Sequence, residues 1–310
     1  MLGYVVRKIF HTAFVALGVV TLVFAALRLS GDPASTMLPG EATVDELRDL
    51  RRELGLDQPI WLQYVTFLVN AVRGDFGTSF RHQQPALGLV MERLPATLEL
   101  AFAALLLAVV IALPLGIVAA MYRGRVPDFF AMGFAVVGQA TPFFWMGIML
   151  ILVVSLELGW LPTSGRGTWQ HLILPAVTLA THFAAVLARL TRTSMLEVLG
   201  QQYVTTARAK GLSEWTVVVV HALKNASVPV LTLIGLQFGT LLGGAVVTET
   251  VFAWPGVGRL AVQSIFVRDY PVVQAGVFVL ALAFVAINLF VDLLYGWLDP
   301  RIRTLEAPAS

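Results

Sequence analysis

Of the 310 residues, 57% are hydrophobic and only 13% are charged, with a mean hydropathy of +0.80, where a soluble domain carries about 25% charged residues. That balance excludes an ordinary soluble enzyme and places the chain in lipid. The absence of cysteine removes disulfides, thiolate metal sites, Fe–S clusters and cysteine nucleophiles, and the net charge of +2 gains meaning only once the cations are sorted by membrane side.

A bilayer core of about 30 Å takes roughly 20 apolar residues per helix, and six stretches meet that length: 9–27, 96–121, 129–156, 172–190, 228–248 and 272–294. The first follows Arg7 and Lys8 but is longer than the roughly 7 to 15 residues of a signal-peptide core, so it reads as an uncleaved anchor. After it, Val44, Leu47, Leu50 and Leu54 share one helical face. Thr43 with Glu46 forms a capping box and Gly55 a C-cap. A second amphipathic run, 59–72, ends at Arg73-Gly74-Asp75-Phe76-Gly77.

Proline and glycine predict bends in the spans. Pro114, Pro142 and Pro175 remove backbone donors inside or near apolar runs, and Gly243-Gly244 allows close packing or flexing in the fifth span. Polar residues at membrane depth are Glu99, Gln139, Thr141, His182, Gln237, Thr240, Glu249, Asn288 and Asp292. Glu99, Glu249 and Asp292 lie near span ends and read as anchors or packing contacts. Gln139, Thr141 and Gln237 are the translocation-path candidates, because deep polar groups face a bundle interior.

Between the fourth and fifth spans lies a polar, basic island, from Tyr203-Val204-Thr205-Thr206-Ala207-Arg208 through Ala209-Lys210-Gly211-Leu212-Ser213-Glu214. The pattern predicts a helix running out of the fourth span to Lys210 and a left-handed stop at Gly211, with Leu212 folding back on Ala207. Ser213 then caps a next helix, with Glu214 in its first turn. Ala207 and Ala209 leave room for another protein surface. From spacing alone, a loop whose charges only enforce topology is equally consistent.

The cations sort to one side: Arg7, Lys8, Arg123, Arg125, Arg192, Arg208, Lys210, Lys224, Arg301 and Arg303, against Arg166, Arg259 and Arg268 on the other. Both termini are therefore expected in the cytoplasm.

The island, with His221-Ala222-Leu223-Lys224-Asn225-Ala226 and Pro229-Val230 after it, resembles the cytoplasmic loop of the oligopeptide/dipeptide (peptide/opine/nickel) permeases of ABC importers. In that family this loop docks into a cleft on the ATPase subunit. Thr205 and Thr206 stand where the general pattern has a small residue and an acid, and Lys224 where many sugar permeases have proline; both departures belong to the peptide branch. Gly31-Asp32-Pro33-Ala34, Leu54-Gly55-Leu56-Asp57-Gln58-Pro59, Gly74-Asp75-Phe76-Gly77, Trp160-Leu161-Pro162, Leu174-Pro175, Gly243-Gly244 with Thr248-Glu249, Trp254-Pro255-Gly256-Val257-Gly258 and Asp299-Pro300-Arg301 resemble it in the same order. Residues 158–171 look especially like glutathione-importer permeases.

The resemblance implies an all-α polytopic fold of six transmembrane helices, the type I importer permease (MetI-like) arrangement, with an external helical insertion after the first span. It divides the chain into residues 1–95, a transmembrane domain 96–300 with its docking loop at 195–227, and a cytoplasmic tail 301–310. It implies a multi-pass protein of the bacterial inner membrane that works with a second homologous permease, two cytoplasmic ATPases and an external solute-binding protein. ATP and Mg would sit on the ATPases, with no cofactor on this chain. The ATPase-docking residues carried over are Tyr203, Ala207, Arg208, Ala209, Lys210, Gly211, Leu212, Ser213 and Glu214. The cargo implied is di- or oligopeptide, glutathione included, with nickel or opines as alternatives.

Other classes have less to rest on. The five histidines show no paired ligand spacing, so no metal is expected. The chain has no phosphate loop ending in Gly-Lys-Ser/Thr and no nucleophile elbow, and the basic island lacks the interleaved aromatics of a nucleic-acid groove. An ion-coupled secondary transporter using Glu99, Asp292 or His182 is the rival of a different class; no inverted repeat supports it.

Overall fold

The structure is a computed structural model. It describes residues 14, 17, 18, 20–26, 28, 29, 34, 43–53 and 55–298, with residues 53 and 290–298 by backbone alone. Nearly half of the predicted span 9–27 falls outside this set, and its described residues are helical. Arg7, Lys8, Leu54 and the Asp299-Pro300-Arg301 motif lie outside it, as do Arg303, Thr304 and the side chain of Asp292. Among the described residues there is no strand, only an isolated bridge between Thr78 and Pro85.

The helices are α1 (Val44–Glu53), α2 (Ile60–Val72), α3 (Ala86–Met121), α4 (Val126–Ala140) and α5 (Phe143–Leu150), which continues as a π-helix over Ile151–Glu157. They are followed by α6 (Trp169–Leu199), α7 (Gln202–Ala209), α8 (Glu214–Val251, with π-helical Val217–Ala222), α9 (Val257–Phe266) and α10 (Tyr270–Leu298). Four of these, α3, α6, α8 and α10, are long and apolar enough to cross a membrane singly, and α4 with α5 passes the same test as a bent pair. Two compact units emerge, one drawn from Met1–Thr97 and Pro255–Val285, the other from Leu98–Trp254 and Ala286–Ser310.

In the first unit, the predicted capping box is formed: Glu46 accepts from the Thr43 N–H at 2.8 Å and Thr43 Oγ1 from the Glu46 N–H at 3.3 Å. Gly55 has φ +63°, with bonds from its own N–H to Arg52 and from the Leu56 N–H to Arg51, the paired closure of a left-handed helix end. The core joins Ala71, Phe76, Val90, Val257, Val272 and Ala275. Asp269, buried at the start of α10, ties the 79–84 turn to it by accepting from Ser79 Oγ at 2.5 Å and the Phe80 N–H at 3.1 Å. A carboxylate can be buried because these donors replace water.

The second unit departs from the single span expected over 129–156. That segment breaks at Thr141-Pro142 into α4 and α5, bent by 105°. Pro142 has no N–H to continue the ladder, and it forces Thr141 into extended geometry at φ −82°, ψ 121°. The Thr141 N–H and hydroxyl both return to the Val137 carbonyl, at 3.0 and 2.7 Å, closing the end of α4.

The broken pair nonetheless traverses the unit. At its start Asp128 meets Arg192 near the far end of α6 at 2.6 Å, whereas the loop after it precedes Trp169 and is held by the Gly165 N–H to the Phe252 carbonyl at the end of α8. Trp169 and Arg192 are 23 residues apart on one helix, about 35 Å, more than the roughly 30 Å hydrocarbon core. This is a broken span rather than a re-entrant loop.

The remaining spans match in place and exceed their expected lengths. α3 begins ten residues before 96 and carries Pro95 and Pro114 within continuous helix; α6 contains Pro175 and α8 contains Pro229. α6 starts with a cap that composition did not suggest: Thr168 is the N-cap, and the His171 ring closes the capping box where Glu or Gln is usual.

Candidate functional site

The basic island is built as a short helix, a left-handed turn and the start of a long helix. α7 ends at Ala209, and Gly211 takes φ +77°. Its N–H bonds to the Arg208 carbonyl at 2.9 Å and the Leu212 N–H to the Ala207 carbonyl at 3.4 Å, the double closure expected of a Schellman turn. A Cβ at Gly211 would meet nothing within 4 Å, so only the backbone angle calls for glycine there. Ser213 then caps α8, its hydroxyl accepting from the Thr216 N–H at 3.3 Å, and Glu214 lies in the first turn.

Two differences from the sequence expectation matter. The helix of the island does not run out of α6: α6 stops at Leu199, and α7 restarts after the turn at Gly200 and Gln201. Ala207 is turned inward, joining buried Val204 and Val217 in a small core against Val198 and Leu199, so its size serves packing while Ala209 stays exposed. Val198 and Leu199 also pack on a second cluster of Ala120, Met195, Val218, Ala222 and Ala226. Burying Val204 and Val217 stabilises this arrangement by roughly 1.5–3 kcal/mol apiece. The turn is thereby fixed to the end of α6 and to the π-helical start of α8.

Several parts of the site were not legible as spacing. Arg208 makes a two-pronged ion pair with Glu214, Nε to Oε2 at 3.1 Å and Nη2 to Oε1 at 2.6 Å, across the Gly211 turn; accepting these bonds, Glu214 raises the Arg208 pKa above its ordinary range. Both side chains are half exposed, so the pair sets the angle of the turn more than it adds stability, about 0–1 kcal/mol. Tyr203 Oη accepts from Asn225 Nδ2 at 2.7 Å, binding α7 to α8. Trp215, in the first turn of α8, is 73% exposed, and Leu212 and Tyr203 of the same island are each about 40% exposed. A large exposed aromatic with apolar neighbours is the usual anchor of a protein interface.

Behind the turn, Asp128 and Arg192 form a second two-pronged pair, at 2.6 and 2.8 Å, with the Gly124 N–H also donating to Asp128 at 2.9 Å. Asp128 is 6% exposed. α3 approaches α6 so closely that a Cβ on Gly116 would fall 2.5 Å from Thr191 Cβ and 2.7 Å from the Ala188 carbonyl. One continuous set of contacts therefore runs from the Gly211 turn through the end of α6 to the starts of α4 and α8.

The path residues do not all come together. Gln139 is exposed and Thr141 half-buried at the break between α4 and α5, while Gln237 is half-buried on α8, where the Thr240 hydroxyl bonds to its carbonyl and side-chain oxygens. His182 stands near the same break, its ring 5.0 Å from Phe143 and 5.7 Å from Phe183. Glu99 accepts from Arg166 Nε at 2.9 Å, and Arg166 lies over the Trp254 ring at 5.8 Å, so the packing reading of Glu99 holds. Glu249 is fully buried. Among the described residues no three His, Asp or Glu side chains converge as metal ligands.

A set of long apolar helices, one of them broken, and a capped helical turn fastened to the ends of two of them define a polytopic membrane protein. Residues 112–304 match the family of binding-protein-dependent transport system inner membrane components, and residues 1–101 match the family's N-terminal model. The glutathione transport system permease proteins GsiC of Escherichia coli K12 and Shigella dysenteriae Sd197 are each 46% identical to it over 304 residues, 98% of this chain and 99% of theirs. The fold is shared with an inward-facing MetNI methionine ABC transporter, at TM-score 0.57 and 19% identity over 68% of this chain and 96% of that one. An amino acid ABC transporter with histidines matches at TM-score 0.52 and 18% identity, over 69% and 94%. The chain belongs to the binding-protein-dependent transport system inner membrane component family: it is a permease subunit of an ABC importer, a multi-pass protein of the inner membrane that works with ATPase and substrate-binding partners.

Proposed function

We propose that this chain forms the pathway and the lever of an importer for glutathione and short peptides, with 46% identity to a glutathione permease over 98% of the chain as the observation that carries the reading. Its working complex would comprise a second homologous permease, two cytoplasmic ATPases that hold ATP and Mg, and an external solute-binding protein. Both termini would lie in the cytoplasm, the side on which Arg123, Arg125, Arg192, Arg208, Lys210 and Lys224 gather. In this reading the chain carries no ATPase site and no cofactor of its own.

The docking element is the surface of Tyr203, Arg208, Ala209, Lys210, Gly211, Leu212, Ser213 and Glu214, with Ala207 holding it from behind and Trp215 as an added anchor. Closure of the ATPases would push this turn. Because Val204, Ala207 and Val217 are packed on Val198 and Leu199, the push would be passed to α6, and through Arg192 and Asp128 to the broken span. The work is a shift between two packings of the spans, which needs rigid contacts at the lever and a weak point elsewhere. The Thr141-Pro142 break and the π-helical segment of α5 are such points. Gln139, Thr141 and Gln237 would face the cargo.

The test is uptake of labelled glutathione into proteoliposomes holding the full complex and its binding protein. Uptake that requires ATP and no proton gradient is expected. Uptake driven by a gradient in the absence of ATP would overturn the reading.

A further inference from the structure

α6 is the most enclosed of the spans: 61% of its apolar window is buried, against 28% to 33% for α3, α8 and α10. α4, α5 and α8 pack against it, and α3 reaches it at Gly116. These neighbours leave one face open. Between Phe183 and Glu197 the exposed positions are Arg189, Thr193 and Glu197, and the half-buried Val186 and His182 carry the same face toward the middle of the span. The order 182, 186, 189, 193, 197 is the repeat of a single helix face.

The chemistry of this face does not suit lipid. The Arg189 side chain has no ion-pair or hydrogen-bond partner among the described residues, whereas Arg192, one turn on, is held by Asp128. Ionisable groups in spans turn toward a bundle interior or a water-filled cavity, since a charge facing hydrocarbon is unfavourable. A neighbouring helix packed over the face would bury an uncompensated guanidinium, which is costlier still. Arg189 lies about 30 Å along the axis from Trp169 and about 15 Å from Leu199, so it stands between mid-membrane His182 and Glu197 at the docking end.

We propose that the His182, Val186, Arg189 and Thr193 face of α6 is a wall of the translocation path, and that Arg189 receives the carboxylate of an anionic cargo moving along it. Glutathione and peptides carry such a group, so the cargo half of the inference rests on the importer reading above. Glu197, two turns beyond Arg189, supplies the opposite charge at the cytoplasmic end, where a carboxylate must be released rather than held.

Since the chain has no cysteine of its own, Val186→Cys in the assembled complex can be probed with an anionic sulfonatoethyl and a cationic trimethylammonioethyl methanethiosulfonate. The same complex without that cysteine serves as the blank. Position 186 should react with both, and the anionic-to-cationic rate ratio should fall about tenfold on adding Arg189→Gln, a unit charge about 6 Å away in a partly hydrated site. Arg189→Lys should keep the ratio. No reaction at 186 would show a face sealed by lipid or by the second permease and overturn the proposal, as would a ratio indifferent to residue 189. Glutathione uptake, measured in parallel, separates the two readings: absent uptake with a residue-189-dependent ratio sinks the cargo and keeps the anion path, and normal uptake with an indifferent ratio does the reverse.

Discussion

Replacing Gly211 isolates the docking turn from the rest of the molecule. Its φ of +77° is a region that side chains with a Cβ rarely adopt, yet the space around it is open, so the cost of substitution lies in the backbone alone. A β-branched residue incurs about 1–3 kcal/mol there. The two bonds that close the turn, one of 2.9 Å and one stretched to 3.4 Å, contribute about 1 kcal/mol each at most. The penalty is as large as these two closing bonds, so Gly211→Val should distort the turn locally, releasing the Ser213 cap and separating Arg208 from Glu214, while the burial of Val204 and Val217 keeps α7 on the end of α6. No span is touched, so insertion and expression should be normal. Co-purification of the ATPase subunits and ATP-driven uptake should both fall about tenfold, since 1.4 kcal/mol is a factor of ten. Gly211→Asn should lose far less because asparagine tolerates the left-handed region. Full uptake by the Val variant at matched expression would show that the geometry of this turn is not what the ATPase engages.

Other consequences can be checked singly. Gly116→Ala, at an ordinary helical angle but 2.5 Å from Thr191, should destabilise the complex by about 1–3 kcal/mol through overpacking, visible as a lower melting temperature in detergent. Asp128→Asn should cost about 2 kcal/mol, less than the 3–5 kcal/mol of a fully buried pair because Arg192 keeps some solvent, and exchanging the two residues should restore part of it. Glu46 accepts from the Thr43 backbone and hydroxyl, which lowers its pKa. The cap it completes is therefore present above the ordinary carboxylate range and lost as pH falls through the lowered value, so amide protection at Leu47, taken relative to Glu46→Gln at each pH, should decline only on the acid side. Single cysteines read by an impermeant thiol reagent should label from outside at Gln58 and Thr78 and from inside at Arg123 and Lys210. These exposed positions are preferable to Gly55, Gly77, Gly124 and Gly211, all of which have positive φ.

Much of this protein is written in its sequence because the relevant physics is local. Twenty apolar residues in a row have few structures open to them in lipid, so spans two, four, five and six could be placed from composition. A capping box at Thr43 and Glu46, the left-handed glycines at 55 and 211 and the serine cap at 213 depend on neighbours a few residues away, and each forms as its pattern dictates. What needed the tertiary structure joins residues far apart in the chain. The pairs Asp128 with Arg192 and Glu99 with Arg166 lie 64 and 67 residues apart, and no spacing rule connects them. Pro142 announced a bend, but its 105° is decided by what α4 and α5 pack against, with Gly138 on Thr181 and Gly147 on Phe252. The inward turn of Ala207 follows from the core that Val198, Leu199 and Val217 make around it. The open face of α6 could not be read from one helix at all: His182, Val186, Arg189, Thr193 and Glu197 become a surface only because four other helices bury the rest.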